Sequence, residues 1–385
     1  MLLSHDTDLA EASLWGNLLR LEGRRCQRSI TLVFLRRATS RIRRANVTRL
    51  RIAVVDEGFI GSLHTAVGLN RAGCSVLLLG AVGGRSSYRG EGFSAVTCPP
   101  PTHADFLPAV RTLIGDFNAD IVYPATEPTH LFLRPDVPLP DKREAVELAC
   151  AAGLRVPSET CRPPAVVKGT TGRGGDAVVI AHSEAELRHA VARIESASRS
   201  VQLQEFIRGT TYLFGGLFFE GEPLRLYAWR KVRQYPRLTG PATIIRSDYD
   251  EELIEAGMRF FRQLRWTGLA STDFIRASDG TLFFLEVNPR PWGSIAAARD
   301  AGVDLFTPMA QLLGGEVPKP DLAFEHGIVT HVFPLYLLEA NPLFWPRMFR
   351  DIRRDGFWSD LRLTQHILYR LRRVRANWPK IFPRH

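Results

Sequence analysis

Two β-rich runs meet at an Asp-Gly pair, and this arrangement constrains the chain more than any other. Ser271-Thr272-Asp273-Phe274-Ile275-Arg276 stands on one side and Leu282-Phe283-Phe284-Leu285-Glu286-Val287-Asn288 on the other, with Asp279-Gly280 between them. Asp-Gly between two such runs is a leading signature of a tight hairpin. Counting outward from a two-residue turn at Asp279-Gly280 sets Asp273 directly opposite Glu286. Asn288, two residues further on, shares their face. Phe274, Phe283, Leu285 and Val287 fall on the opposite face, where a core is expected. Two carboxylates facing each other across a hairpin repel unless a cation lies between them. All three side chains offer oxygen, the donor magnesium prefers, and magnesium completes its shell with phosphate oxygens. A solvated acid pair at a sheet edge is the plainer reading, but it leaves Asn288-Pro289-Arg290 without a purpose.

A second signal lies upstream. Val166-Val167-Lys168 reads as an apolar strand ending in lysine, followed by a turn holding Gly169, Gly172, Gly174 and Gly175 and then by Val178-Val179-Ile180. Backbone free of side chains approaches phosphates closely and offers N–H donors, while a lysine compensates their charge. The order differs from the Walker pattern, in which lysine follows the last glycine. Taken alone, such a hairpin is as readily a flexible loop.

The chain ahead of these signals reads as a different kind of structure. Arg51 to Asp56 is a buried strand, Leu63 to Ala72 a helix stopped by Gly73, and Cys74 to Gly80 a second strand. That βαβ opening implies a parallel sheet. The turn Glu57-Gly58-Phe59-Ile60-Gly61 lacks the three-glycine spacing of dinucleotide-binding loops. A helix over 105–117 and a strand over 120–124 follow. In open α/β sheets ligands sit beyond the carboxyl ends of the strands, so Thr126 and Glu127 are candidate substrate contacts, with a solvated loop an equal alternative. The prolines in 134–140 mark a boundary. Asp141 then caps a helix running from Lys142 to Ala152. The stretch 165–320 alternates strands, glycine loops and helices as α+β with hairpins.

In this order the two signals resemble the ATP-grasp superfamily of carboxylate–amine ligases, in its carbamoyl-phosphate-synthase-like branch. The resemblance covers about residues 50–316 and implies an N-terminal, Rossmann-like parallel-sheet (pre-ATP-grasp) domain over 50–135. A two-part ATP-grasp domain with antiparallel sheets is implied over 136–316, hinged near 204–209. It makes 1–49 a basic extension and 317–385 a basic, aromatic-rich C-terminal segment. It also assigns Lys142, Lys168, Gly172, Gly174, Gly175, Gln204, Glu205, Phe206, Ile207 and Thr211 to ATP. Asp273, Glu286 and Asn288 fall to Mg2+ or Mn2+, and Lys168 and Arg290 to the transferring phosphoryl group. Two positions depart from the family: Gly169 replaces a proline, and Thr211 replaces the acid that binds the ribose hydroxyls. The implied activity converts a carboxylate to an acyl phosphate, hands it to an amine and releases ADP and phosphate. The alternatives are a non-amine acceptor, or an idle, membrane-associated scaffold on the same fold. Arg225, Arg230, Lys231, Arg233 and Arg246 lie on the segment that faces the acceptor in this family, and Arg230 is the first candidate to hold substrate.

Charge narrows the partners. The net charge of +10 sits at the two ends: residues 1–50 hold 10 arginines against 4 acids, and residues 340–385 hold 11 basic residues against 3 acids. The body between them is mildly acidic, unlike a chain built to grip nucleic acid, and no nucleic-acid-reading motif is present. Small-molecule carboxylate and amine partners are expected, with the oligomeric state left open. The arginines and aromatics near the C-terminus suit an interfacial helix on anionic lipid, and equally a helix packed on its own domain. Five scattered cysteines, with no close pair and no export signal at the start, point to the cytoplasm, peripheral contact with the inner membrane face included.

Overall fold

The computed structural model describes residues 50–56, 59–80, 90–135, 137, 139–169, 178–196, 200–234 and 238–332. The basic ends and the turn carrying Gly172, Gly174 and Gly175 lie outside these residues. Among the described residues, no helix is long and apolar enough to cross a membrane.

The apolar run after Leu50 becomes β1 (Arg51–Asp56), followed by α1 (Ile60–Arg71), β2 (Ser75–Gly80), β3 (Phe93–Thr97), α2 (Phe106–Phe117) and β4 (Ile121–Pro124). The four strands pair parallel in the order β3-β2-β1-β4. Strands buried on both faces read as continuous apolar runs, and Ile52–Val55 and Val76–Leu79 are buried throughout. Val55, Leu77 and Leu79 pack on Phe106 and Val110 of α2. On the other face Ile52, Val54 and Leu78 join a core that also holds Trp229, Trp292 and Met309. Helix α1 docks there through bare backbone. A Cβ on Gly61 would lie 2.7 Å from the Trp292 carbonyl oxygen, and one on Gly68 would lie 2.2 Å from a Phe306 ring carbon.

Beyond β4 the chain turns at once into α3 (Glu127–Leu133), where a loop was equally expected. Asp141 caps α4 (Lys142–Ala151) as expected: its carboxylate accepts from the backbone N–H of Arg143 and Glu144, and Glu144 accepts from the Asp141 N–H. An antiparallel sheet in the order β6-β5-β7 follows, from β5 (Ala165–Gly169), β6 (Val178–Ala181) and β7 (Val201–Glu205), covered by α5 (Glu184–Glu195).

The largest sheet runs β12-β11-β8-β9-β10-β13. Its strands are β8 (Gly209–Phe219), β9 (Glu222–Gln234), β10 (Ala242–Ser247), β11 (Gly268–Ala277), β12 (Leu282–Asn288) and β13 (Val329–His331). One face buries Phe214, Phe218, Ala228 and Phe274 against α6 (Glu251–Leu264). The other places Leu213, Leu217, Tyr227 and Trp229 in the core shared with β1 and β2. Strand β13 lies well past residue 316, so the C-terminal segment contributes an edge of this sheet. The fold is therefore mixed: a parallel sheet first, then two antiparallel sheets.

The hairpin of β11 and β12 corrects the expected turn. The Gly280 N–H donates to the Ala277 carbonyl and the Ala277 N–H to that of Thr281, closing a three-residue loop instead of two. Gly280 at φ +88° supplies the left-handed residue such a loop needs. The register then shifts once, between Asp273 and Phe274, leaving Leu285 as an extra residue on β12. The longer loop and this bulge compensate, so Asp273 still faces Glu286. Between them the alternation is inverted. Leu282 and Phe284 enter the core with Phe274, while Phe283 and Leu285, expected there, remain half-buried outside it.

Candidate functional site

Strand register gathers the site on one face of the largest sheet. Asp273 pairs with Glu286 and Ser271 with Asn288, and Leu213 and Trp229 continue the Asp273 row onto β8 and β9. Asp273 is 8% exposed. Its Oδ1 accepts from Asn288 Nδ2 at 3.4 Å, and Asn288 Oδ1 accepts from Arg290 Nη2 at 2.9 Å. Its Oδ2 lies 3.5 Å from Lys231 Nζ.

Arg290 is held from several directions. Nη1 donates to the Pro291 carbonyl at 3.1 Å, Nε lies 2.6 Å from Glu127 Oε2, and the guanidinium sits 4.8 Å from the centre of the Phe59 ring. Phe59 follows β1 and Glu127 follows β4, neighbouring strands of the parallel sheet. The crevice at their carboxyl ends is therefore occupied by an arginine from the neighbouring unit.

The electrostatics match this crowding of charge. Burial, with Glu286 opposite, pushes the Asp273 carboxyl up to about 6 even though Lys231 and Arg290 oppose the shift. Burial also raises Glu286, but Lys142, Lys168, Lys231 and Arg290 together outweigh it and hold that carboxyl below its usual range. Lys168, 7% exposed at the end of β5, is lowered chiefly by burial and also by Lys142, while Glu286 and Asp273 pull it up. Two acids thus sit among four cations, each able to meet a phosphate or a carboxylate.

The described residues expected to meet the nucleotide are spread over α4, β5, β7 and β8 and the segment after β7. Lys142 opens α4. Gln204 on β7 is 2% exposed, and its Oε1 has no hydrogen-bond partner among the described residues. Glu205 Oε1 accepts from the Ser158 N–H at 2.9 Å, and the Phe206 N–H donates to the Pro164 carbonyl at 3.3 Å. Phe206 meets His182 edge-on and Ile207 is half-buried. Thr211 pairs with Ile275 and so faces the same side as Asp273.

Three candidate substrate contacts fare differently. Thr126 is 1% exposed and its hydroxyl is engaged with Thr129 in a reciprocal helix cap, a structural use. Glu127 stands at the site, bound to Arg290. Arg230 does not. It pairs across strands with Tyr212 and Arg246, on the face away from Asp273, and its Nε lies 3.2 Å from Asp248 Oδ2. The next residue, Lys231, is the one that lies on the Asp273 face. Lys231 belonged to the same basic group in the sequence, and the parity of the strand is the signal that separates the two. Phe283 and Leu285 are further residues of this face that the sequence pattern assigned to the core.

Among the described residues, no three His, Cys, Asp or Glu side chains group closely enough to hold a metal. The oxygen set here is two carboxylates and an amide. A buried acid facing a half-buried one suits a hard divalent cation that completes its shell elsewhere, so Asp273, Glu286 and Asn288 fit magnesium.

A family model described as an ATP-grasp domain matches residues 132–294. These residues form an ATP-grasp domain. The match begins inside α3 and ends just beyond Arg290, so it covers the β6-β5-β7 sheet, every strand of the largest sheet except β13, and every cation around Asp273 and Glu286. Solved structures agree at the level of fold. Biotin carboxylase from Campylobacter jejuni, in a β,γ-ATP complex, superposes with TM-score 0.57 at 14% identity, covering 74% of this chain and 75% of that one. L-amino acid ligase from Bacillus licheniformis gives 0.55 at 16% identity, covering 69% and 75%. The biotin carboxylase domain of Hydrogenobacter thermophilus 2-oxoglutarate carboxylase, in complex with Mg-ADP and bicarbonate, gives 0.57 at 14% identity, covering 72% and 73%. A search of curated protein sequences finds no match.

Proposed function

We propose that this protein is an ATP-dependent ligase that activates a small carboxylic acid as an acyl phosphate and passes it to an amine. One observation carries the reading: Asp273, Glu286 and Asn288 share a sheet face with Lys142, Lys168, Lys231 and Arg290 around them. ATP-grasp membership and the ATP- and Mg-ADP-bound structures of similar fold support the nucleotide.

Lys142 and Lys168 neutralise the triphosphate, and the open oxygen of Gln204 accepts a hydrogen bond from the base. Ile275, Phe283 and Leu285 offer the base an apolar surface. Magnesium held by Asp273, Glu286 and Asn288 would neutralise phosphate oxygens. Lys231 and Arg290 draw the substrate carboxylate against the γ-phosphorus. A carboxylate oxygen forms the new bond to phosphorus as the bond to the β–γ bridging oxygen breaks, and ADP leaves. The amine then attacks the acyl carbon, the carbon–oxygen bond to phosphate breaks, and the departing phosphate takes the proton the amine gives up. Phosphoryl transfer of this kind is accelerated mainly by positioning and by fixed positive charge, so no side-chain nucleophile is needed.

The test is nucleotide turnover over a panel of acids and amines. ADP release that requires magnesium, an acid and an amine together is expected, with Glu286→Gln inactive. AMP as the product, or turnover unchanged in Glu286→Gln, overturns the assignment.

A further inference from the structure

We propose that Lys231 is a built-in counter-ion of the metal-binding acids, displaced from Asp273 when the metal arrives, and that this displacement couples metal binding to carboxylate binding. The inference rests on reading Asp273, Glu286 and Asn288 as metal ligands.

Lys231 lies on β9, two strands from β11, and its side chain spans β8 to bring Nζ within 3.5 Å of Asp273 Oδ2. The contact is closed in, with side-chain exposures of 16% and 12%. Every donor oxygen of Asp273 and Asn288 already has a partner. Asp273 Oδ2 faces Lys231, Asp273 Oδ1 takes the Asn288 amide, and Asn288 Oδ1 takes Arg290. A divalent ion on these oxygens competes directly with the ammonium, because two cations on one carboxylate oxygen repel. Lysine suits such an exchange: it is a compact charge on a flexible stem, with donors only.

Once released, Lys231 has no uncommitted acid in the ion pairs of the described residues around it. Glu127 is committed to Arg290, Asp248 lies on the other face with Arg230, and Glu286 remains with the metal. The charge is satisfied by an incoming carboxylate on the same face. Linkage is reciprocal: a carboxylate that holds Lys231 away from Asp273 strengthens metal binding by the factor by which metal strengthens carboxylate binding. A purely structural ion pair would behave in the opposite way, since its loss would loosen the acids.

Mn2+ titration at pH 8, read from the electron paramagnetic resonance signal of free ion, tests this without any substrate. Lys231→Met and the polar Lys231→Gln are both expected to bind Mn2+ about tenfold more tightly than the parent, the order set by removing one nearby charge. Asp273→Asn is expected to lose the site. Replacing chloride by acetate at equal ionic strength is expected to tighten Mn2+ several-fold in the parent and not in Lys231→Met. Equal or weaker Mn2+ binding by both Lys231 variants overturns the proposal, as does an acetate effect that survives in Lys231→Met. Identical Mn2+ binding by parent and Asp273→Asn instead defeats the metal assignment itself, and the two failures are told apart by that variant.

Discussion

Asp273 shows what a charged site demands of its fold. Burial and the facing Glu286 push its carboxyl up to about 6, above the ordinary carboxylate range near 4. In metal-free protein above pH 6 the group is charged in both folded and unfolded states, and the full burial penalty is present. As the pH falls from about 6 towards 4, the native carboxyl takes its proton before the unfolded one, and the penalty fades. Asp273→Asn is therefore expected to stabilise the metal-free protein at pH 7.5 by something on the order of 1–3 kcal/mol, while abolishing turnover. It should also lose the gain in stability that the parent shows on acidification over that interval. Melts in chelator at pH 7.5 and 5 measure both effects. A variant less stable than the parent at pH 7.5 would mean that the Lys231 contact, not burial, governs this residue.

At the scale of the element, two glycines of the same sheet make opposite demands. Gly280 needs only its backbone angle, φ +88°, and a Cβ there would meet nothing within 4 Å. Gly216 has an ordinary angle, yet a Cβ would come 2.0 Å from the Arg225 carbonyl oxygen on β9, a backbone atom that cannot turn aside. Gly280→Ala is expected to cost about 1 kcal/mol, and Gly216→Ala more than about 3 kcal/mol. Denaturant unfolding ranks them, and equal losses would refute the distinction. The same hairpin shows how much of the site could be seen beforehand. The Asp273–Glu286 pairing was legible because residue spacing and the Asp-Gly signal point to it. Loop length and the Leu285 bulge were not, since the two offset each other at the very pair that mattered. Between them, the alternation slipped and Phe283 and Leu285 were assigned to the wrong face. Arg230 was chosen over Lys231 because Pro223 to Trp229 is buried on both faces but for the half-exposed Arg225, and such a run carries little alternation from which to read direction. The parallel sheet was legible for the opposite reason: continuous apolar strands separated by helices leave few topologies. Its polar edge strand β3 and the short α3 had no comparable signal.

Across the whole molecule, the parallel sheet and the ATP-grasp domain meet at Arg290. Glu127 stands at the first position of α3, where the Thr126–Thr129 cap fixes the start of the helix. Its carboxylate lies 2.6 Å from Arg290 Nε while Phe59 covers the guanidinium face, and Gly61 lets α1 approach the backbone of Trp292. The N-terminal unit therefore sets the direction of an arginine carried by the other unit. Misplacing such a group by about 1 Å can lower a rate about a hundredfold without loosening the nucleotide. Glu127→Gln, which keeps the shape and removes the charge, is expected to lower kcat about ten- to a hundredfold with the KM for ATP within about threefold, and Glu127→Asp to recover part of the loss. Because the pairing acts on orientation, binding of a non-hydrolysable ATP analogue should match the parent in both variants. A parallel loss of analogue binding and kcat would place Glu127 in nucleotide affinity instead, and unchanged kcat would show that Arg290 holds its direction without the parallel sheet.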